Sequence, residues 1–278
     1  MIVDFWSNLR SPAAVKAWEN NPTLAGVANF FGNATFEVRD VAAVVEELDE
    51  NRVDMALVSG LAGGTGHMKS NNYTIEEALA QCEEFPERVR AAMWLEGLQS
   101  IQEMCRTIER VSEHPLFSVV RVIPMVLEDY INSPRLYPVY ERCEALGIPV
   151  SINVGIPGPR VRAKFQDATL IDDVLIDFPD LVVIGAHMGH PYEKYLIRLM
   201  LKYENLYLTN SAYLAKYFEP EVIRFMDSSR GRDRLMFASD APLLSLERSL
   251  KEAKLVDVGA EAMDNFLGGN AARVLDLA

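Results

Sequence analysis

A (β/α)8 barrel, the TIM-barrel arrangement of the α/β class, is the fold predicted by this 278-residue sequence. Three observations predict it. Eight short β-rich apolar runs recur along the chain. Most are continuously apolar rather than alternating, as strands covered on both faces are. Helical patterns with chemically marked starts fill the intervals, so strand and helix alternate throughout. A doubly wound open sheet shares that alternation, but no Gly-x-Gly-x-x-Gly follows an early strand. Barrels of roughly 250 residues form one domain, so residues 1–278 read as a single unit.

In chain order the runs are Met1 to Trp6, Met55 to Gly60, Arg90 to Leu95, Val119 to Pro124, Pro149 to Gly155, Leu181 to His187, Leu206 to Ser211 and Leu235 to Asp240. Among the helix starts, Asp40 precedes Val-Ala-Ala-Val-Val-Glu-Glu-Leu. Thr74 with Glu77 and Ser100 with Glu103 read as capping boxes, and Ser133 reads as a cap ahead of Pro134 at the first helical position. Two segments stand outside the repeat. Residues 7–39 are too long for a connecting loop and are expected to cap the active-site end; residues 256–278 form a tail ending in an Asn-Ala-Ala-Arg-Val-Leu helix.

Composition narrows the function. Apolar residues make up 49% and charged residues 24%, and 40 acidic against 27 basic side chains leave a net charge of −13. That balance excludes a sequence-independent nucleic-acid binder, which needs a basic surface to displace counterions. The longest uncharged stretch, Asn20 to Phe36, carries four asparagines, a proline and two glycines, so no membrane span is expected. The opening Met-Ile-Val-Asp-Phe-Trp lacks the pattern of a secretory signal, which makes a cytoplasmic protein the expectation. Cys82, Cys105 and Cys143 are odd in number and scattered, and read as reduced core residues.

Chemistry in such barrels sits at the carboxyl ends of the strands. His187 and His190 fall together at the end of the sixth run, where His187 is expected to be catalytic; His190 either touches substrate or starts the next helix. Asp240 ends the eighth run, where a buried carboxylate must be paired, protonated or metal-bound. Arg121 interrupts Val-Val-Arg-Val-Ile-Pro. An arginine there faces either a structural carboxylate or an anionic group of a substrate. Asn8, Trp6 and Asn153 end the first and fifth runs. Arg160 and Arg162 follow in a loop, as does His67 in the glycine-rich stretch after the second run. That stretch is no phosphate cradle, since it lacks the Gly-Lys-Ser/Thr ending.

Several longer stretches carry a family resemblance. They are Leu136-Tyr-Pro-Val-Tyr-Glu-Arg-Cys-Glu-Ala-Leu-Gly-Ile-Pro-Val, Asp177-Phe-Pro-Asp-Leu-Val-Val-Ile-Gly-Ala-His-Met-Gly-His-Pro, Glu204-Asn-Leu-Tyr-Leu-Thr-Asn-Ser-Ala, Phe237-Ala-Ser-Asp-Ala-Pro and Gly269-Asn-Ala-Ala-Arg-Val-Leu. Together they closely resemble the amidohydrolase-related (amidohydrolase 2) family, and the likeness is densest after residue 130. The resemblance implies a distorted barrel whose members include metal-dependent decarboxylases, hydratases and metal-free lactonases. It also exposes missing ligands. Where the family pattern ends its first strand Asp-x-His-x-His, this sequence reads Asp4-Phe5-Trp6-Ser7-Asn8. Where the fifth strand supplies another histidine, it reads Asn153. Only His187 and Asp240 match.

A catalytic zinc keeps about three protein ligands, and Trp6 cannot ligate. The expectation is therefore that no cofactor is required and no metal is tightly bound. Any metal that does bind would rest on His187 and Asp240, with His67 or His190 completing a displaced site. The first functional reading is a metal-independent hydrolase of a small acidic or acyl substrate, cleaving an ester, a lactone or a β-keto carbon–carbon bond. In it His187 and Asp240 are catalytic, Arg121 and Arg160 hold an anion, and Asn153 and Asn8 donate to an oxyanion. Two alternatives stand beside it: a metal-dependent decarboxylase of a small aromatic or related acid, and a non-catalytic binding member. The expected partner is a small molecule, and a homodimer is expected from the resemblance.

Overall fold

The computed structural model describes residues 1–22, 26, 37–62, 72–95 and 100–277. Eight parallel strands run in sequence order around one sheet: β1 (Val3–Asn8), β2 (Met55–Leu61), β3 (Val89–Trp94), β4 (Phe117–Val122), β5 (Val150–Asn153), β6 (Val183–Ala186), β7 (Leu206–Thr209) and β8 (Leu235–Met236). The ring closes where the extended residues after β8 meet β1. Phe5 N donates to Phe237 O at 3.0 Å, Asp240 N to Trp6 O at 2.8 Å and Asn8 N to Ala241 O at 2.8 Å. Each predicted run finds its strand within four residues. The fourth ends two residues early because Pro124 opens a short helix, Pro124–Leu127.

Strand periodicity divides the core in two. Phe5, Leu57, Ala92, Val119, Ile184, Ala186, Met236 and Ala238 fill the barrel's interior. Their neighbours Val58, Ala91, Val120, Ile152, Val183 and Leu208 point outward and pack beneath the helices. With both faces buried, the strands had to be continuously apolar, which is the pattern that betrayed them. Cys82 and Cys143 are buried in this outer layer and Cys105 lies partly exposed at its edge, all as free thiols.

The helix starts follow the marked chemistry with one exception. Thr74 and Glu77 form a reciprocal capping box, Ser100 Oγ accepts from Glu103 N, and Asp40 accepts from Ala43 N. Ser133 caps no helix. Its Oγ accepts from Arg135 N in a turn, and the helix starts later, at Tyr137–Leu146, with Pro138 in its first turn. The Ser-Pro signal was real, but it marks the turn ahead of the helix. The tail helix, Asn270–Val274, lies where expected, preceded by a wider π-type turn at Asn265–Gly269.

Within residues 7–39, Ser7 and Asn8 complete β1, a helix covers Pro12–Asn20, and paired hydrogen bonds join Arg10 to Arg39. The expected cap falls mainly on residues 23–25 and 27–36, which lie outside the described residues.

Gly155, just after β5, has φ +89°, and a Cβ there would meet His190 O and lie 2.6 Å from Gly189 C. Only glycine fits so close an approach with that backbone. Gly155→Ala is expected to lower stability by roughly 3 kcal/mol, read as a fall in the denaturant midpoint at constant slope.

Candidate functional site

Four strand ends converge on one buried polar centre. Arg121, on β4, points into the barrel and is fully buried. Its Nη2 donates to Phe5 O at 2.7 Å, and its guanidinium lies 3.7 Å from the centroid of the Trp6 ring. Its Nε and Nη1 have no hydrogen-bond partner, and no carboxylate lies within ion-pair distance of it among the described residues. Burial lowers its pKa to about 9, opposed by the charges of Asp240 and Asp4. Among the described residues Arg121 thus has no structural ion-pair partner, and two of its buried nitrogens are left to be satisfied.

His187 follows β6, its ring centroid 5.1 Å from that of Trp6 and tilted 51° to it. Its Nδ1 lies 2.9 Å from Ser211 O and 2.9 Å from Ser211 Oγ. A carbonyl oxygen only accepts, so Nδ1 carries the hydrogen and Nε2 is left with a bare lone pair. Burial pulls the imidazole down to about 4, and the Arg121 charge pulls the same way against the Ser211 bond. Neutral His187 can thus serve as a base or a metal ligand, with a fixed tautomer.

Asp240 completes the centre. Its Oδ1 accepts from Asn8 Nδ2 at 2.6 Å, while Asn8 Oδ1 accepts from Trp6 Nε1 at 3.0 Å. Trp6 and Asn8, standing where the family pattern has two histidines, therefore form a hydrogen-bonded strut aimed at Asp240. Asn8, expected to donate to an oxyanion, here directs its amide hydrogens to Asp240 Oδ1 and the carbonyls of Asp240 and Ala241. Burial raises the Asp240 carboxyl to about 7, against the Asn8 bond and the charges of Arg121 and Arg10. Asp240 and His187 share a further feature: φ is +64° at the first and +60° at the second.

Beneath lies a second buried carboxylate, Asp4, which accepts from Ser239 N at 2.7 Å, from Ser239 Oγ at 2.6 Å and from Trp6 N at 3.3 Å. Burial still lifts it to about 6. With its oxygens occupied, Asp4 holds β1 to the segment bearing Asp240. Ser239→Ala removes the 2.6 Å bond and the bond from Ala241 N. It is expected to cost about 1 to 3 kcal/mol in chemical denaturation, because a buried acceptor is left short of partners.

The remaining predicted residues divide. Asn153, at the end of β5, is buried and its Oδ1 has no partner; register places it beside Ala186, one residue before His187. His190 sits at the rim, its side chain about half exposed. Its Nδ1 lies 2.7 Å from buried Glu193 Oε1, and its ring stacks on Tyr213 at 5.4 Å. Arg160 is exposed, and Arg162 pairs with Glu128 at 3.5 Å, so neither joins the centre. His67 lies outside the described residues.

The sequence reading missed Arg10 and Arg39. Arg39 donates to Ser7 Oγ, Asn8 O and Glu47, bracing the end of β1. Arg10 is buried against Trp18, and its charge is felt at Asp240. A Val-Arg-Asp loop and an Arg-Ser-Pro turn give no signal for this, since only the Arg10 to Arg39 pairing brings them in.

A family model described as Amidohydrolase matches residues 31–277. A search of curated proteins returns no match. Among solved structures, an uncharacterised TIM-barrel protein from Bordetella bronchiseptica is 22% identical, with a TM-score of 0.82 over 99% of this chain and 98% of that one. A 5-carboxyvanillate decarboxylase from Sphingomonas paucimobilis is 17% identical, with a TM-score of 0.73 over 100% and 99%. A dihydroxybenzoic acid decarboxylase from Polaromonas, with bound manganese and the inhibitor 2-nitroresorcinol, is 16% identical, with a TM-score of 0.72 over 99% and 97%. The manganese overturns the expectation that no cofactor is required. That expectation counted histidines as zinc needs them, whereas manganese is a hard ion served by oxygen donors.

Proposed function

The chain belongs to the amidohydrolase family, and from that premise we propose a lyase of one barrel domain, a decarboxylase of a small aromatic or related carboxylic acid that works with a divalent metal. Decarboxylase neighbours favour this over the metal-free hydrolase. The observation that carries it is Arg121: a wholly buried guanidinium with Nε and Nη1 unpartnered, lying against an aromatic ring. Such a group calls for a small anion, and a carboxylate meets it with two oxygens in the guanidinium plane.

The donors that fit a hard divalent cation are His187 Nε2, the Asp240 carboxylate and the orphaned amide oxygen Asn153 Oδ1. No group of three or more His, Cys, Asp or Glu gathers as a metal cluster among the described residues. A cation held by these three donors alone would have to keep several waters, as magnesium-type ions do. When bound, the cation supplies positive charge against the negative charge that develops as the carbon–carbon bond breaks.

The chain's own residues do the rest. Arg121 grips the substrate carboxylate, while the Trp6 ring covers the guanidinium and keeps water from it. As carbon dioxide leaves, the bonding electron pair stays on the substrate carbon, which then takes a proton. Asp240, as a ligand of the cation, stays ionised, so water at the site supplies that proton.

The test is a panel of carboxyl-labelled aromatic acids incubated with protein and manganese, with His187→Gln as control. Labelled carbon dioxide that depends on His187 supports the reading. Ester or lactone hydrolysis without carbon dioxide returns it to the hydrolase.

A further inference from the structure

Deepening that reading and resting on it, we propose that Trp94 is a specificity residue, its indole N–H joining the Nε and Nη1 edge of Arg121 in one cradle for the substrate's carboxylate. Trp94 and Arg121 are register partners across β3 and β4, so both side chains leave the same face of the sheet at the same level. Both stand against Trp6, whose ring centroid is 6.3 Å from that of Trp94 and 3.7 Å from the Arg121 guanidinium carbon. Trp94 Nε1 is buried with no acceptor among the described residues, as are Arg121 Nε and Nη1.

An indole N–H donates and never accepts. Buried donors side by side, unsatisfied among the described residues, therefore share one missing acceptor. The walls next to them, Ala92 and Val119, are apolar and offer none. Trp6 covers a face of the guanidinium, so an anion approaches in its plane. A planar carboxylate can place one oxygen toward Arg121 and the other toward Trp94, while a tetrahedral phosphonate brings a third oxygen against the apolar wall. Arg121 alone attracts anions; Trp94 selects among them.

The full chain labelled with 15N-tryptophan has three indole signals, from Trp6, Trp18 and Trp94. Trp94→Phe assigns the third, and Trp6→Phe with Trp18→Phe assign it by elimination should that variant fail to fold. Benzoate is titrated with and without magnesium, and phenylphosphonate is the tetrahedral probe. The Trp94 signal is expected to move downfield and saturate. Calorimetry is expected to show benzoate binding at least about tenfold more tightly than phenylphosphonate, with the gap closing in Trp94→Phe. If benzoate binds and Arg121→Met abolishes it, yet the Trp94 signal stays still or Trp94→Phe binds as tightly, the cradle is overturned and the decarboxylase reading stands. If benzoate binds under neither condition, both fall.

Discussion

Arg121→Met is expected to cut kcat/KM by roughly 30- to 1,000-fold, the equivalent of about 2 to 4 kcal/mol for a charge-assisted contact in a water-poor site, while the protein melts no lower than the parent. The asymmetry follows from the missing ion pair. Had Arg121 been half of a buried pair, the change would strand a carboxylate and cost about 3 to 5 kcal/mol. Here the fold gives it one backbone bond, from Nη2 to Phe5 O, and leaves two nitrogens without partners. Methionine fills similar volume without the desolvation burden that pulls the guanidinium down to about 9. A melting temperature that collapses with activity would show that Arg121 holds the barrel together and would remove the anion site.

Asp240→Asn is expected to abolish turnover, by more than about 1,000-fold, and to make the metal-stripped protein more stable at pH 8. The sign follows from linkage. Burial raises the folded-state pKa from 3.8 to about 7, so the folded protein binds the proton more tightly than the unfolded chain does. Stability from this group is whole below pH 3.8 and is lost as pH rises through about 7. At pH 8 the ionised carboxylate costs roughly 4 kcal/mol, which the amide avoids while still accepting from Asn8. The gain should fade toward pH 4. Asp4, raised to about 6, drifts in the same direction in both proteins. His187 runs the other way: lowered to about 4, it adds stability as pH climbs from 4 to 6.5. Manganese should raise the melting temperature of the parent and leave Asp240→Asn unmoved. Equal stabilisation of both would take Asp240 out of the metal set.

The barrel was legible because burial on both faces forces continuous apolar runs, and because Asp40 and Thr74 cap their helices through bonds to residues three positions away. His187, Asp240 and Arg121 were legible for a related reason: a polar group at the end or in the middle of an apolar strand has no local excuse. What the sequence concealed depends on distant closure. Nothing near Asn8 announces that its amide turns onto Asp240, 232 positions away. Arg39 looks like a solvated loop charge until its bonds to Ser7 and Asn8 are seen. Trp94 is legible as a residue at the active-site end of the third strand, but its unpaired N–H is a property of the packed wall alone. The metal expectation failed differently, by weighing the site against zinc's needs alone when amide oxygens can serve a harder cation.

Both His187 and Asp240 hold left-handed backbone angles that glycine would adopt without strain. Each also buries an ionisable group that the fold would be easier without. A laboratory population selected for heat tolerance alone should therefore discard these two side chains early, with glycine a favoured replacement at either position. The barrel would grow hardier as it fell silent, and sequencing the survivors would locate the reactive centre without a substrate ever being supplied.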